Sequence, residues 1–318
     1  MDPVRMGVLG CADIARRRML PAFAACPGTE IAAVAGRDPA RTAATAAPYR
    51  ARAVHGYAEL LAEPGIDAVY VPLPLALHAE WVEAALRSGR HVLAEKPLTA
   101  DPARTAELFA LAERLGLALM ENVMFVHHGQ HGAVRRLVAD GAVGTLRSVE
   151  AAFTVPRRPD DDIRYRPDLG GGALWDTGVY PLRAALELLG PDPEVLGAAL
   201  VTAPGFTVDT SGAVLLRAPD GIVAQLAFGL DHAYRNSLTL HGSTGRLTLD
   251  RVFTPPAGVP PPARLETAGG VREIPLPADD QVAATVAAFA DAVRRGSAPS
   301  AASLAQARLL DAVRRAAR

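Results

Sequence analysis

The stretch RMGVLGCADIA (residues 5–15) decides the fold. Arg5 to Leu9 is a short apolar run with the pattern of a buried strand, Gly10 to Ala12 is a tight turn, and Asp13 opens a helix whose apolar spacing carries on to Ala25. Glu30 to Ala35 is a second apolar strand, so the chain begins with a βαβ unit. Working outward, the alternation persists. A helix is expected from Pro39 to about Tyr49, a strand over Ala68 to Val71, a helix over Leu77 to Ser88, a strand over His91 to Ala94, a helix over Ala103 to Leu115 and a strand over Leu117 to Glu121. Buried strands separated by helices imply a parallel, doubly wound Rossmann sheet with right-handed crossovers. This N-terminal α/β domain is expected to occupy residues 1–122.

Beyond Gly144 the pattern changes. Leu146 to Val155, Glu194 to Thr202, Gly212 to Arg217, Ile222 to Leu230, Leu238 to His241 and Arg246 to Leu249 read as strands, with turn signals at 218–221 and 243–245. Helical patterns fall at Leu174 to Leu189, Gln281 to Arg295 and Leu304 to Ala317, and the proline-rich run at 254–262 reads as a loop. Residues 123–318 are thus expected to form an α+β domain with a large, mostly antiparallel sheet.

Gly10, Cys11, Ala12, Asp13, Ile14 and Ala15 follow a strand and open a helix, matching G-x-G-x-x-G/A with alanine at the second and third glycine positions. Such a turn lets backbone N–H groups and a helix N-terminus approach a pyrophosphate, although small residues there also serve packing alone. At the tip of the second strand an NAD enzyme usually places a carboxylate; here Gly36 and Arg37 stand there, which favours a 2′-phosphate and hence NADP(H). Asp38, just before Pro39, suits a helix N-cap.

The strand ending at Ala94 runs into Glu95-Lys96-Pro97, which puts Lys96 at the carboxyl end of a parallel strand, where open α/β sheets bind ligands. The proline makes that path rigid. A second informative segment runs from Arg164 to Pro181: three glycines lead into a helix with Asp176 and Tyr180 four residues apart on one face. The alternative there is a glycine loop entering a core helix. His78, at a helix start, is placed near the cofactor, though a lone histidine in that position is more often structural. His127, His128 and His131 lie close together without a completing Cys or carboxylate, so no metal site is expected.

Composition narrows the class. Half the residues are apolar, and 33 Lys plus Arg oppose 34 Asp plus Glu for a net charge of -1, which argues against a nucleic-acid partner. No segment reads as a membrane span or signal peptide, and Cys11 and Cys26 form neither a disulfide framework nor a zinc pattern, so a cytoplasmic setting is expected.

Taken together, GVLGCADIA, AEKPL and DLGGGALWDTGVY resemble the Gfo/Idh/MocA oxidoreductases over nearly the whole chain. In much of that family the residue four beyond the aspartate is His; here it is Tyr180, and with ARRRMLP and FVHHGQH the sequence is most similar to the nucleotide-diphosphohexose 3-ketoreductases of deoxysugar biosynthesis. That resemblance implies NADPH as hydride donor, a dTDP-linked 3-keto sugar as substrate, and Lys96 with Tyr180 as the source of the proton, oriented by Asp176. Leu73, His78, Glu95, Lys96, Arg164 and Asp176 join the glycine turn as expected cofactor neighbours. Arg17, Arg18, Ser243 and Thr244 are expected near the substrate. A dehydrogenase of a free sugar, polyol or dihydrodiol is the alternative within enzymes, and a non-catalytic NADP sensor the alternative outside them. The broad sheet suggests a homo-oligomer.

Overall fold

A computed structural model of the chain describes residues 2–317. The chain forms two compact units, one made of residues up to Met124 together with Val282–Leu304, the other of Phe125–Gln281 and the chain from Ala305 onward.

The first unit contains β1 (Val4–Leu9), α1 (Leu20–Ala25), β2 (Thr29–Gly36), α2 (Pro39–Ala46), β3 (Arg52–His55), α3 (Tyr57–Ala62), β4 (Ala68–Val71), α4 (His78–Arg87), β5 (His91–Glu95), α5 (Pro102–Leu115) and β6 (Leu119–Asn122). Its strands pair in the order β3-β2-β1-β4-β5-β6, all parallel. The sheet is buried on both faces, and the two-residue period of a strand divides its side chains between two cores. Leu9, Val69, Val71 and Val92 pack on one face with Leu86, Leu108 and Leu111, while Met6, Val8, Val34, Tyr70 and Leu93 pack on the other with Met19, Leu20 and Phe23. The order reverses direction between β1 and β4, which makes the crevice at their carboxyl ends the place where such sheets take a ligand. Helix starts are built locally: Asp38 accepts the Arg41 N–H at 3.1 Å ahead of Pro39, and Asp101 accepts the Ala103 N–H at 2.8 Å ahead of Pro102. Strand β3 gave no apolar run to read, because it is an edge strand whose side chains stay mostly exposed.

The second unit contains α6 (Gly129–Ala139), β7 (Leu146–Thr154), α7 (Val179–Leu189), β8 (Glu194–Val201), β9 (Ser211–Arg217), β10 (Val223–Gly229), β11 (Arg235–Gly242), β12 (Gly245–Asp250), β13 (Pro262–Thr267) and β14 (Gly270–Pro275). The eight strands run in the order β14-β13-β12-β11-β7-β10-β9-β8, antiparallel except for the β7/β10 pair. Helix α7 packs on β7 and β10, and the buried face of the sheet carries Val149, Ala151, Phe153, Leu238, Leu240, Leu247 and Leu265. On the opposite face Ala152, Ala227, Ala213 and Ala199 stand directly beside one another across β7, β10, β9 and β8.

Two helices follow, α8 (Gln281–Arg295) and α9 (Ala301–Ala316). The sequence groups α8 with the second domain, yet Val282, Val286, Phe289 and Ala290 are buried in the core that holds Met6, Val8 and Tyr70 of the first unit. Periodicity shows that a helix has an apolar face and cannot say which sheet that face meets. Strands β13 and β14 and helix α6 were likewise absent from the sequence reading. Pro262 takes the first position of β13, one of the few places a strand tolerates proline.

Candidate active site

Residues with chemistry to offer gather in each unit, and each group is described within its own unit. In the first, Gly10 turns the chain at the end of β1 with φ +119°, a conformation that favours glycine, and a Cβ there would lie 3.1 Å from Leu73 Cδ2 and press on that side chain. The helix that follows opens through a π-helical turn, Ala15–Met19, before α1. Asp13 pairs with Arg16 and, at 3.1 Å, with Arg17; the Arg16 hydrogen bond above all holds its carboxyl below the usual range. Arg17 and Arg18 are exposed on that turn.

Arg37 is exposed at the tip of β2. Two residues that the sequence reading passed over join it. Arg41 donates through Nη2 to the Cys11 carbonyl at 2.8 Å, closing over the glycine turn from the first turn of α2. Tyr57 packs edge-on against Trp81 at 5.0 Å; burial pushes its phenol up and the nearby charge of Arg37 opposes that. Two guanidinium groups and a phenol beside a glycine turn form a donor set suited to a phosphate monoester. The signal for Arg41 was its place four residues after Arg37; Tyr57 carried none, because β3 brings it there from the sheet edge.

Lys96 is half-buried just past the carboxyl end of β5, and its peptide bond to Pro97 is cis. It is also the only lysine of the chain, every other basic position among the 33 Lys plus Arg being arginine. Its neighbour Glu95 accepts through Oε1 from Tyr70 Oη at 2.6 Å and Asn122 Nδ2 at 2.7 Å, which braces β5 to β4 and β6. Glu121 accepts the Leu98 N–H at 2.9 Å. His78, expected beside the cofactor, is 1% exposed, with Nδ1 3.0 Å from the Pro97 carbonyl and Nε2 2.7 Å from the Leu73 carbonyl. Both ring nitrogens face backbone carbonyls.

In the second unit, Asp176 lies in a π-helical turn, Leu174–Gly178, and Tyr180 follows in the first turn of α7. Asp176 Oδ2 accepts from Arg164 Nε at 2.7 Å, and Arg164 Nη1 reaches Asp162 at 3.1 Å. Burial alone would lower the guanidinium's affinity for its proton, but the two carboxylates outweigh it and raise that affinity. The Leu174 N–H is held by Asp209 at 2.7 Å, and burial raises the Asp209 carboxyl. The Tyr180 ring is surrounded by aromatics, with centroids 4.8 Å from Phe153, 5.8 Å from Phe253 and 6.0 Å from Phe125. The tyrosine appears in the sequence beside its aspartate, whereas this aromatic box is assembled from three separate segments.

Ser243 and Thr244 do not join this group. They form the β11–β12 turn, where the Ser243 N–H bonds to the Thr145 carbonyl and Ser243 Oγ accepts the Thr145 N–H at 3.0 Å. That is the Leu146 end of β7, and Tyr180 packs against Phe153 near its other end, roughly 23 Å away at about 3.3 Å per strand residue. The turn and the Tyr180 group therefore stand at opposite ends of β7. Of the histidines near 130, His131 is buried near Phe125 and pushed down to about 4, chiefly by burial, while His128 Nδ1 accepts the Gln130 N–H and caps α6. Among the described residues, no group of three or more His, Cys, Asp or Glu could hold a metal, and no helix is long and apolar enough to cross a membrane.

Residues 4–123 match an oxidoreductase family with an NAD-binding Rossmann fold, and residues 131–248 match the GFO/IDH/MocA C-terminal domain. The chain is 54% identical to a dTDP-3,4-didehydro-2,6-dideoxy-alpha-D-glucose 3-reductase of Streptomyces violaceoruber, covering 99% of this chain and 95% of that protein. It is 37% identical to a D-xylose 1-dehydrogenase (NADP(+)) of Haloferax volcanii over 92% of this chain and 90% of that protein. A crystal structure of a 3-ketoreductase from Actinomadura kijaniata, in complex with NADP and TDP-benzene, superposes with a TM-score of 0.97 at 50% identity, covering 99% of this chain and 98% of that one. Matches to both halves and near-complete coverage at this identity establish that the chain belongs to the Gfo/Idh/MocA oxidoreductase family.

Proposed function

We propose that this chain is an NADPH-dependent ketoreductase that reduces the 3-keto group of a dTDP-linked deoxyhexose. The observation that carries the reading is Lys96, a half-buried ammonium on the carboxyl edge of β5, two strands from the glycine turn of β1 in the sheet order, in a chain 54% identical to a dTDP-sugar 3-reductase. The residues fit the dinucleotide: Gly10 leaves open a cradle that a side chain would fill, and Arg37, Arg41 and Tyr57 provide donors for a 2′-phosphate. NADPH, when bound, supplies the hydride.

The protein's own part is to meet negative charge on the carbonyl oxygen and to give it a proton. Lys96 and Tyr180 are the proposed donors. Phe125, Phe153 and Phe253 pack around the Tyr180 ring and hold it in one place, and its hydroxyl is the proposed source of the proton that meets the alkoxide. A positioned general acid contributes about 10²- to 10⁴-fold in rate. Arg164 clamped between Asp162 and Asp176 fixes the loop that leads into α7, and Asp176 is proposed to act on the orientation of Tyr180 or on a sugar hydroxyl. Arg17 and Arg18, exposed cations after the glycine turn, suit the nucleotide diphosphate.

The reading carries a cytoplasmic setting, consistent with two free cysteines. It also carries a homo-oligomer formed through the open face of the eight-stranded sheet, supported by the alanine row there and by Val201 and Leu215, 54% and 38% exposed. The test is NADPH oxidation with a dTDP-3-keto-hexose, assayed beside NADP+ reduction with free sugars. Turnover confined to free sugars would favour the dehydrogenase reading, which the Haloferax relative keeps open.

A further inference from the structure

We propose that His78 is a positioning residue for Lys96, holding the Pro97 carbonyl and the Leu73 carbonyl on opposite sides of one buried ring. The inference rests on the role of Lys96 given above. An ammonium on a flexible four-carbon stem is only as well placed as the backbone that carries it. On its N-terminal side that backbone is braced by Glu95 through Tyr70 and Asn122. On its C-terminal side Pro97 has no N–H to give, so the group by which the residue can be held is its carbonyl, and that carbonyl lies 3.0 Å from His78 Nδ1.

The ring is not there for packing. An apolar side chain would fill a space that is 1% exposed without the cost of burying two nitrogens. Its second nitrogen lies 2.7 Å from the carbonyl of Leu73, the residue whose side chain abuts the Gly10 turn. One side chain thus spans from the loop against the dinucleotide turn to the residue next to the ammonium. A neutral ring carries one proton and can donate to only one of the two carbonyls, whereas a charged ring donates to both; for Lys96 the carbonyl that matters is that of Pro97.

The single lysine makes the proposal directly testable. In full-length protein labelled with ¹³C-lysine, the one Cε resonance reports the titration of Lys96. H78L is expected to lower kcat about 10- to 100-fold, as small misplacements of a reacting group do, with the Michaelis constant for NADPH within about twofold. It is also expected to move the Lys96 titration midpoint by roughly half a unit or more. H78N, whose amide stands where Nδ1 lies, is expected to keep kcat within about threefold of wild type; H78Q, whose amide reaches only towards Leu73, is expected to behave like H78L. A lowered melting temperature with kcat and the Lys96 midpoint unchanged would overturn the proposal, as would equal kcat and equal midpoints in H78N and H78Q, which also decide the matter if H78L does not fold. If the wild-type protein fails to reduce the keto sugar, the functional reading falls while the lysine titration still judges His78.

Discussion

At the scale of single residues, Lys96 and Arg37 bear the most direct tests. Lys96→Ala is expected to bind NADPH normally and to lose about 10²- to 10⁴-fold in turnover, with Tyr180→Phe losing less. Wild-type kcat in both variants would remove them from the chemistry. Arg37→Ala removes a charge-assisted contact of about 1.5 to 3 kcal/mol, so the Michaelis constant for NADPH is expected to rise roughly 10- to 100-fold while that for NADH stays near its original value. Equal effects on the two cofactors would refute phosphate recognition. The residues of this set that lie in recognisable strings, Gly10, Arg37, Lys96, Asp176 and Tyr180, were legible in the sequence. Arg41, Tyr57 and the three phenylalanines around Tyr180 were not, because what makes them relevant is a neighbour distant in the chain.

Among the elements, α8 separates what a pattern can say from what it cannot. Its length and apolar face were plain in the sequence, and the described helix has the bounds expected, Gln281–Arg295. Its destination was not, since Val286 and Phe289 are fully buried in the core that holds Met6 and Tyr70. Phe289→Ala is therefore expected to destabilise the nucleotide-binding unit by about 3 to 5 kcal/mol. Hydrogen exchange should show faster opening of β1 and β4 than of β7 and β11. Faster exchange confined to the second sheet would contradict the assignment of α8.

For the molecule as a whole, buried histidines tie stability to pH. Burial holds His131 at about 4 in the folded protein against 6.5 when unfolded, so its neutral form is favoured by folding. Above 6.5 neither state binds the proton and the full stability is present. Between 6.5 and 4 the unfolded chain takes it up first, and about 3 kcal/mol is lost on that descent, at roughly 1.4 kcal/mol per unit. Urea midpoints should fall from pH 7.5 to 4.5, and less steeply in His131→Phe; parallel curves would dismiss the residue as a source. His78, His127 and His128 are lowered by burial too and act in the same direction. The proposed assembly is addressed by Ala227→Lys, which sets a charge in the middle of the alanine row and is expected to yield a smaller species in sedimentation. An unchanged mass would place any interface elsewhere.

The sequence by itself determined the alternation of strands and helices, the glycine turn, the strand-end lysine and the aspartate–tyrosine pair, because each is written in neighbouring residues whose spacing has a direct physical meaning. Tertiary structure alone decided which core α8 joins and which end of β7 the Ser243–Thr244 turn occupies. It also set the two carbonyls between which the His78 ring lies. Those outcomes depend on strand register and on contacts between segments far apart in the chain, and no local pattern of side chains encodes them.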